Sequence, residues 1–226
     1  MKSKQLVVLI LALVFSASIP VVAQDNVKKA KEILNKLSKT YKGYKNIKAG
    51  FTITSENPDK TKVSQAGTIW IKNKEFKIEM TDQDIMCDGK TIWTAQKEVK
   101  EVTIKDYNPS ANEIQPSQIF SLWEKGFDYL WVEKVTEGGK SLDVVDLVPK
   151  EGKDTKDYSK VKLKINTATN TIASCTVIKK NGVKISYAIT TQESNLKLDK
   201  KYFEMDVEAK RKAGYDIVDL RKKKKK

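Results

Sequence analysis

The chain has no histidine. That absence removes the commonest general base, the usual partner of a catalytic serine or cysteine, and the commonest metal ligand. Its two cysteines, Cys87 and Cys175, are too far apart for a C-x-x-C pair, and neither a G-x-S-x-G elbow nor a Walker-type glycine loop is present. Nucleophilic, thiol-redox and phosphate-cradling mechanisms therefore lack their residues. The acidic pair Asp82 and Asp84, in Thr81-Asp82-Gln83-Asp84, reads as a solvated turn. No enzymatic activity, cofactor or bound metal is expected. Proline and glycine are scarce, 5 and 10 in 226 residues, and no Pro/Gly/Ser-rich linker divides the chain. One domain is expected.

What is present begins with a secretory pattern. Lys2 and Lys4 form a charged start, Leu6 to Phe15 an apolar stretch, and Val21-Val22-Ala23 a small-residue cleavage site before Gln24. The apolar stretch falls short of the roughly 20 residues that a bilayer-spanning helix needs. Residues 1–23 are accordingly read as a cleaved signal peptide, 24–221 as one domain and Lys222 to Lys226 as a solubilising lysine tail, with docking to acidic membrane surfaces as its alternative role. Glutamine at position 24, where a lipid-carrying chain needs cysteine, predicts a soluble product. Export permits a disulfide, but Cys87 and Cys175 both lie in strand-like apolar runs, so two buried small hydrophobes are the preferred reading and a bridge the alternative. The formal net charge of +14 favours anionic partners. Nucleic-acid-binding motifs are missing, and lipid headgroups or an acidic protein suit an exported chain better.

The hydrophobic period then gives the architecture. After Asn26, read as an N-cap, Val27, Ala30, Leu34, Leu37, Tyr41 and Tyr44 recur three and four apart, the stripe of a helix whose other face is nearly all lysine. From Ile47 the period becomes two, and strand-like runs follow at 63–71, 76–80, 85–87, 91–95, 98–105, 129–136, 142–148, 161–165, 171–179 and 184–192. Asp88-Gly89, Gly138-Gly139 and Asn181-Gly182 supply hairpin turns, so neighbouring strands are expected to be antiparallel. Pro116 opens a second short helical segment in which Ile119, Phe120, Trp123 and Phe127 share a face. The result is a mainly β, α+β fold: one strongly curved antiparallel sheet whose concave face is covered by two helical segments. Alternation puts Phe76, Ile78 and Met80 on one face, which on composition alone is read as filled core.

Three collinear motifs add a resemblance. Gly67-Thr68-Ile69-Trp70-Ile71-Lys72, Phe76-Lys77-Ile78-Glu79-Met80 and Asp88-Gly89-Lys90-Thr91-Ile92-Trp93 resemble, in order and spacing, consecutive strands of the periplasmic outer-membrane lipoprotein carrier family, LolA. Weaker matches extend the resemblance over most of the chain beyond residue 23. It implies an incomplete β-barrel closed by helices over an apolar cavity, with Phe51, Phe76, Ile78, Met80 and Trp93 in the cavity and Leu34, Leu37, Ile119 and Phe120 on the lid. It also implies lipoprotein acyl chains as cargo, an inner-membrane lipoprotein-releasing ABC transporter as loader, an outer-membrane receptor or membrane surface as acceptor, and a periplasmic monomer as carrier. The family's lid-latching arginine has no counterpart here. Asn73 stands in its place, and as a neutral donor it would make a weaker latch than a guanidinium. A general envelope lipid binder and a non-catalytic scaffold are the alternatives.

Overall fold

The computed structural model describes residues 21–108, 118–150 and 157–222. An α-helix, α1 (Val21–Lys42), leads into β1 (Ile47–Glu56), β2 (Lys62–Lys72), β3 (Glu75–Met80), β4 (Gln83–Cys87), β5 (Thr91–Gln96) and β6 (Glu101–Asp106). A turn and a short 3-10 helix (Leu122–Glu124) precede β7 (Phe127–Glu137), β8 (Lys140–Pro149), β9 (Tyr158–Asn166), β10 (Thr171–Lys179) and β11 (Lys184–Ser194). A short helix, α2 (Val207–Lys212), and β12 (Asp216–Asp219) follow. The strands form a single 12-stranded sheet in the order β12-β6-β5-β4-β3-β2-β1-β11-β10-β9-β8-β7. Curved but unclosed, it is the incomplete barrel that the periodicity and the resemblance predict.

Tight turns keep most neighbours antiparallel. Gly89, Gly138, Gly139 and Gly182 all have positive φ at the three expected hairpins. The exception to antiparallel pairing is β12, which runs parallel to β6. Neither α2 nor β12 is among the elements expected from periodicity. α2 has only six residues, begun by Asp206, whose Oδ1 accepts a hydrogen bond from the Ala209 amide.

The sheet buries two apolar surfaces. On the concave side, Ala30, Leu34, Leu37 and Tyr41 of α1 pack with Ile47, Ala49, Ile71, Phe76, Leu163 and Ile165 in one large core. On the convex side, Trp93, Ala95, Val102 and Ile104 form a smaller cluster with Met205, flanked by Val207, Tyr215 and Ile217. The lysine-rich face of α1 is turned to solvent, as amphipathicity demands.

One helix boundary differs from expectation. α1 passes straight through Asn26, because no proline or glycine between Val21 and Asn26 interrupts it, so Asn26 is not a cap. The second helical segment is short and 3-10 in form: Gln118 has 3-10 geometry, a turn covers Ile119 to Ser121, and the 3-10 helix Leu122–Glu124 follows, while Pro116 and Ser117 lie outside the described residues. Asp84 also departs from the turn assigned to it. It lies within β4, where Lys97 and Lys210 reach its carboxylate at 2.8 and 3.4 Å.

Candidate functional site

The concave face leaves an apolar cavity of about 140 Å³ beneath its cover. Two cross-strand rows build its floor. Ile69 of β2 pairs with Ile78 of β3, which pairs with Ile85 of β4, setting three isoleucines side by side. In the second row Phe51 of β1 is opposite Gly67 of β2, and Gly67 is opposite Met80 of β3. A Cβ on Gly67 would come within 2.8 Å of Phe51 Cζ and 2.9 Å of Met80 Cγ, so the missing side chain lets two large ones lean over the strand. Ile53 with Tyr187, and Phe51 with Ile189, extend the wall through the β1–β11 pairing. Ile119 and Phe120 close the cavity from the opposite side.

That covering segment is tied to α1. The Tyr41 ring lies 5.2 Å from Phe120 and 5.9 Å from Trp123. Trp123 Nε1 donates to Ser38 Oγ at 2.7 Å, and Lys42 pairs with Glu124 at 2.9 Å. Tyr41 in turn anchors α1 to the sheet: its hydroxyl donates to Gln192 Oε1 and accepts from the Ile172 amide, both at 3.0 Å. Burial holds that hydroxyl's pKa above its ordinary value. A groove beside this seam is lined by Lys31, Asn35, Ser38, Lys42, Glu124 and Lys125 among others.

The residues singled out from sequence divide. Phe51, Ile78, Met80, Ile119 and Phe120 all line the cavity. Leu34 and Leu37 are buried under α1 in the same core but away from the cavity wall. Phe76, although buried, packs edge-on against Tyr107 at 5.8 Å and does not line the cavity. Trp93 is on the other face of the sheet: Cys87 pairs with Ile92 on the concave side, so the next residue points to the convex cluster. Asn73 occupies the two-residue turn between β2 and β3, exposed, with φ of 58°. Its side chain makes no hydrogen bond to the cover among the described residues; the bonds seen there are those of Ser38 and Lys42. Ile53, Ile69, Ile85, Tyr187 and Ile189 were not expected at the site, although alternation in β1 puts Ile53 on the side of Phe51.

Chemically the site offers hydrocarbon surface and almost nothing else; among the described residues Tyr187 carries the one polar side-chain group in the lining. Cys87 and Cys175 are free and buried. Burial pushes the Cys87 thiol up to about 11 and the Cys175 thiol to about 12, which makes both poor nucleophiles. Among the described residues no group of three His, Cys, Asp or Glu side chains could hold a metal ion, and no helix is long and apolar enough to cross a membrane.

Fold and site together define a protein of the unclosed-barrel class, a curved antiparallel sheet covered over an apolar cavity. The family model for the outer membrane lipoprotein carrier protein LolA matches residues 42–206, which takes in β1 to β11, and the chain belongs to that family. A solved uncharacterised conserved protein of Thermus thermophilus shares the fold, with a TM-score of 0.52 at 11% identity, covering 84% of this chain and 98% of that one. A LolA superfamily protein from Nitrosomonas europaea aligns with a TM-score of 0.43 at 13% identity over 79% of this chain and 98% of its own. An uncharacterised protein of Methanocaldococcus jannaschii is 28% identical over 131 residues, 56% of this chain. The chain spans only 39% of that relative's length.

Proposed function

We propose that this protein is a non-catalytic carrier in the cell envelope, which holds the acyl chains of lipoproteins in the concave cavity and moves them from the inner to the outer membrane. The observation that carries this reading is a cavity lined by six isoleucines, two phenylalanines, a methionine and a tyrosine, of which Ile119 and Phe120 come from a separate covering segment. The energetics require such a site. Each acyl methylene left in water costs about 0.8 kcal/mol, so one long chain costs on the order of 10 kcal/mol and does not cross an aqueous space unaided.

Volume sets the mechanism. An apolar cavity of about 150 Å³ accepts a molecule the size of benzene, and the 140 Å³ here is of that order. An acyl chain of ordinary length therefore needs the space occupied by Ile119 and Phe120. Cover and cargo compete for one apolar surface, and loading and release proceed without covalent chemistry. An inner-membrane ABC transporter supplies the energy for loading, and an outer-membrane receptor or the membrane itself receives the cargo.

Native mass spectrometry of the protein taken from the envelope tests this, with bound lipoprotein as the expected result. Met80→Glu, which sets a charge at the cavity wall, is expected to abolish that load while leaving a folded protein. An acyl load that survives the substitution would refute the cavity assignment. One observation favours a second reading, that of a general lipid binder: nothing in the hydrocarbon lining distinguishes a lipoprotein's acyl chain from a phospholipid's. Recovery of phospholipid alone would select that reading.

A further inference from the structure

The positive charge is distributed unevenly over the surface. On the convex side of the sheet, several lysines sit against carboxylates. Lys160 and Lys162 meet Asp146 at 2.9 and 2.8 Å, and Lys184 and Lys62 meet Glu56 at 3.2 and 3.1 Å. On α1 the situation is reversed. Among the described residues only Lys42 of its six lysines reaches a carboxylate, that of Glu124, and Lys29 lies 3.2 Å over the Trp131 ring. Lys28, Lys31, Lys36 and Lys39 have no carboxylate within 4.0 Å among the described residues, and all four are exposed. At about 100° per residue, Lys28, Lys31, Lys39 and Lys42 fall in one stripe about 80° wide and about 21 Å long. Lys31 and Lys42 also border the groove beside the cover, where Lys125 joins them.

We infer that this face of α1 docks on an anionic lipid surface, and that docking turns the covered side of the barrel toward the headgroups. The inference does not depend on the cargo. Charge complementarity identifies the occupant: the exposed side of the helix presents lysine after lysine, with Asp25 and Glu32 as its acids and without arginine or aromatic anchors. Protein interfaces are depleted in lysine and enriched in arginine and aromatic residues seated in pockets. A plane of phosphates asks for no pocket, only for mobile cations within reach. Of the apolar stripe of α1, Ala30, Leu34, Leu37 and Tyr41 are buried in the core and Val27 alone among its described members is exposed, so the helix binds mainly through charge.

The experiment is flotation of the purified protein with vesicles of phosphatidylcholine, with and without phosphatidylglycerol, at low and high salt. Binding is expected only with phosphatidylglycerol, and only at low salt. Each lysine near an anionic surface contributes about fivefold in affinity, so K28Q/K31Q/K39Q is expected to lose about 100-fold. K105Q/K140Q/K180Q removes the same charge from exposed or turn positions on the sheet and is expected to bind nearly as the parent does. Circular dichroism and melting confirm that both variants are folded. Equal losses in the two triple variants would overturn the inference, because binding would then follow net charge alone. Absence of binding to phosphatidylglycerol, capture of a soluble acidic protein without vesicle binding, or binding that vanishes only on deleting Lys222 to Lys226 would overturn it as well.

Discussion

Replacing Phe120 with alanine should move stability and affinity in opposite directions. Phe120 is 6% exposed, lines the cavity and packs against Tyr41. In the empty protein, truncation removes a buried aromatic ring at a loss of about 3 kcal/mol, which for a chain of this size lowers the melting temperature by about 6 to 12 °C. On the proposed competition between cover and cargo, the cargo has already displaced that ring in the loaded protein, so most of the loss should be absent. The difference appears as tighter binding. Burial of one such side chain is worth about 1.5 to 3 kcal/mol, which corresponds to about tenfold to hundredfold in affinity. Titration of a fluorescent acylated peptide, together with thermal melts of the empty protein, measures both quantities. Ile78→Ala is the control: a wall residue present in both states, it should lower stability by about 2 to 5 kcal/mol and weaken binding. If Phe120→Ala melts lower yet binds the peptide no more tightly than the parent, competition between cover and cargo is refuted.

Three further outcomes are expected. Gly67→Ala brings a methyl group to 2.8 Å from the Glu79 carbonyl oxygen as well as from Phe51; overpacking of this kind costs about 1 to 3 kcal/mol, and an unchanged melting temperature would contradict the tight Phe51–Gly67–Met80 row. Trp123→Phe removes the donor to Ser38 while keeping a ring, and should weaken the closed state by about 1 kcal/mol. Trp123 should also report opening, its buried emission shifting to the red as an acylated peptide binds, a change that Trp123→Phe abolishes. The two thiols give a pH dependence. Both are raised from 9.0, to about 11 for Cys87 and about 12 for Cys175, so above pH 9 the unfolded chain loses thiol protons that the native chain keeps. Stability should therefore fall as pH rises from 9 toward 11. Melts of Cys87→Ser/Cys175→Ser should show a shallower alkaline decline, and thiol titration should find two reactive groups only after denaturation.

The strands were legible because a half-buried sheet repeats every two residues and its hairpins need residues that tolerate positive φ. Runs such as Phe76 to Met80, with charged residues between apolar ones, state their face openly. β5 does not. Its Ile92 and Trp93 are both apolar, and only the pairing of Cys87 with Ile92 shows that Trp93 belongs to the convex cluster. Phe76 is on the concave face as expected, yet its strand position carries it past the cavity to Tyr107.

By itself the sequence determined the mainly antiparallel sheet architecture, the amphipathic helix with its lysine face, and the absence of histidine. These follow from composition and short-range periodicity, which the chain carries locally. The cavity and its seam were decided by tertiary structure, because they depend on residues distant in sequence. Ser38 meets Trp123, Tyr41 meets Gln192 and Ile172, and Gly67 makes room for Phe51 only when β1 and β2 pair in this register. A covering segment is specified by what it touches: Asn73, set at the latch position by the resemblance, has a left-handed backbone in an exposed turn, while Ser38 and Lys42 bond the cover through Trp123 and Glu124.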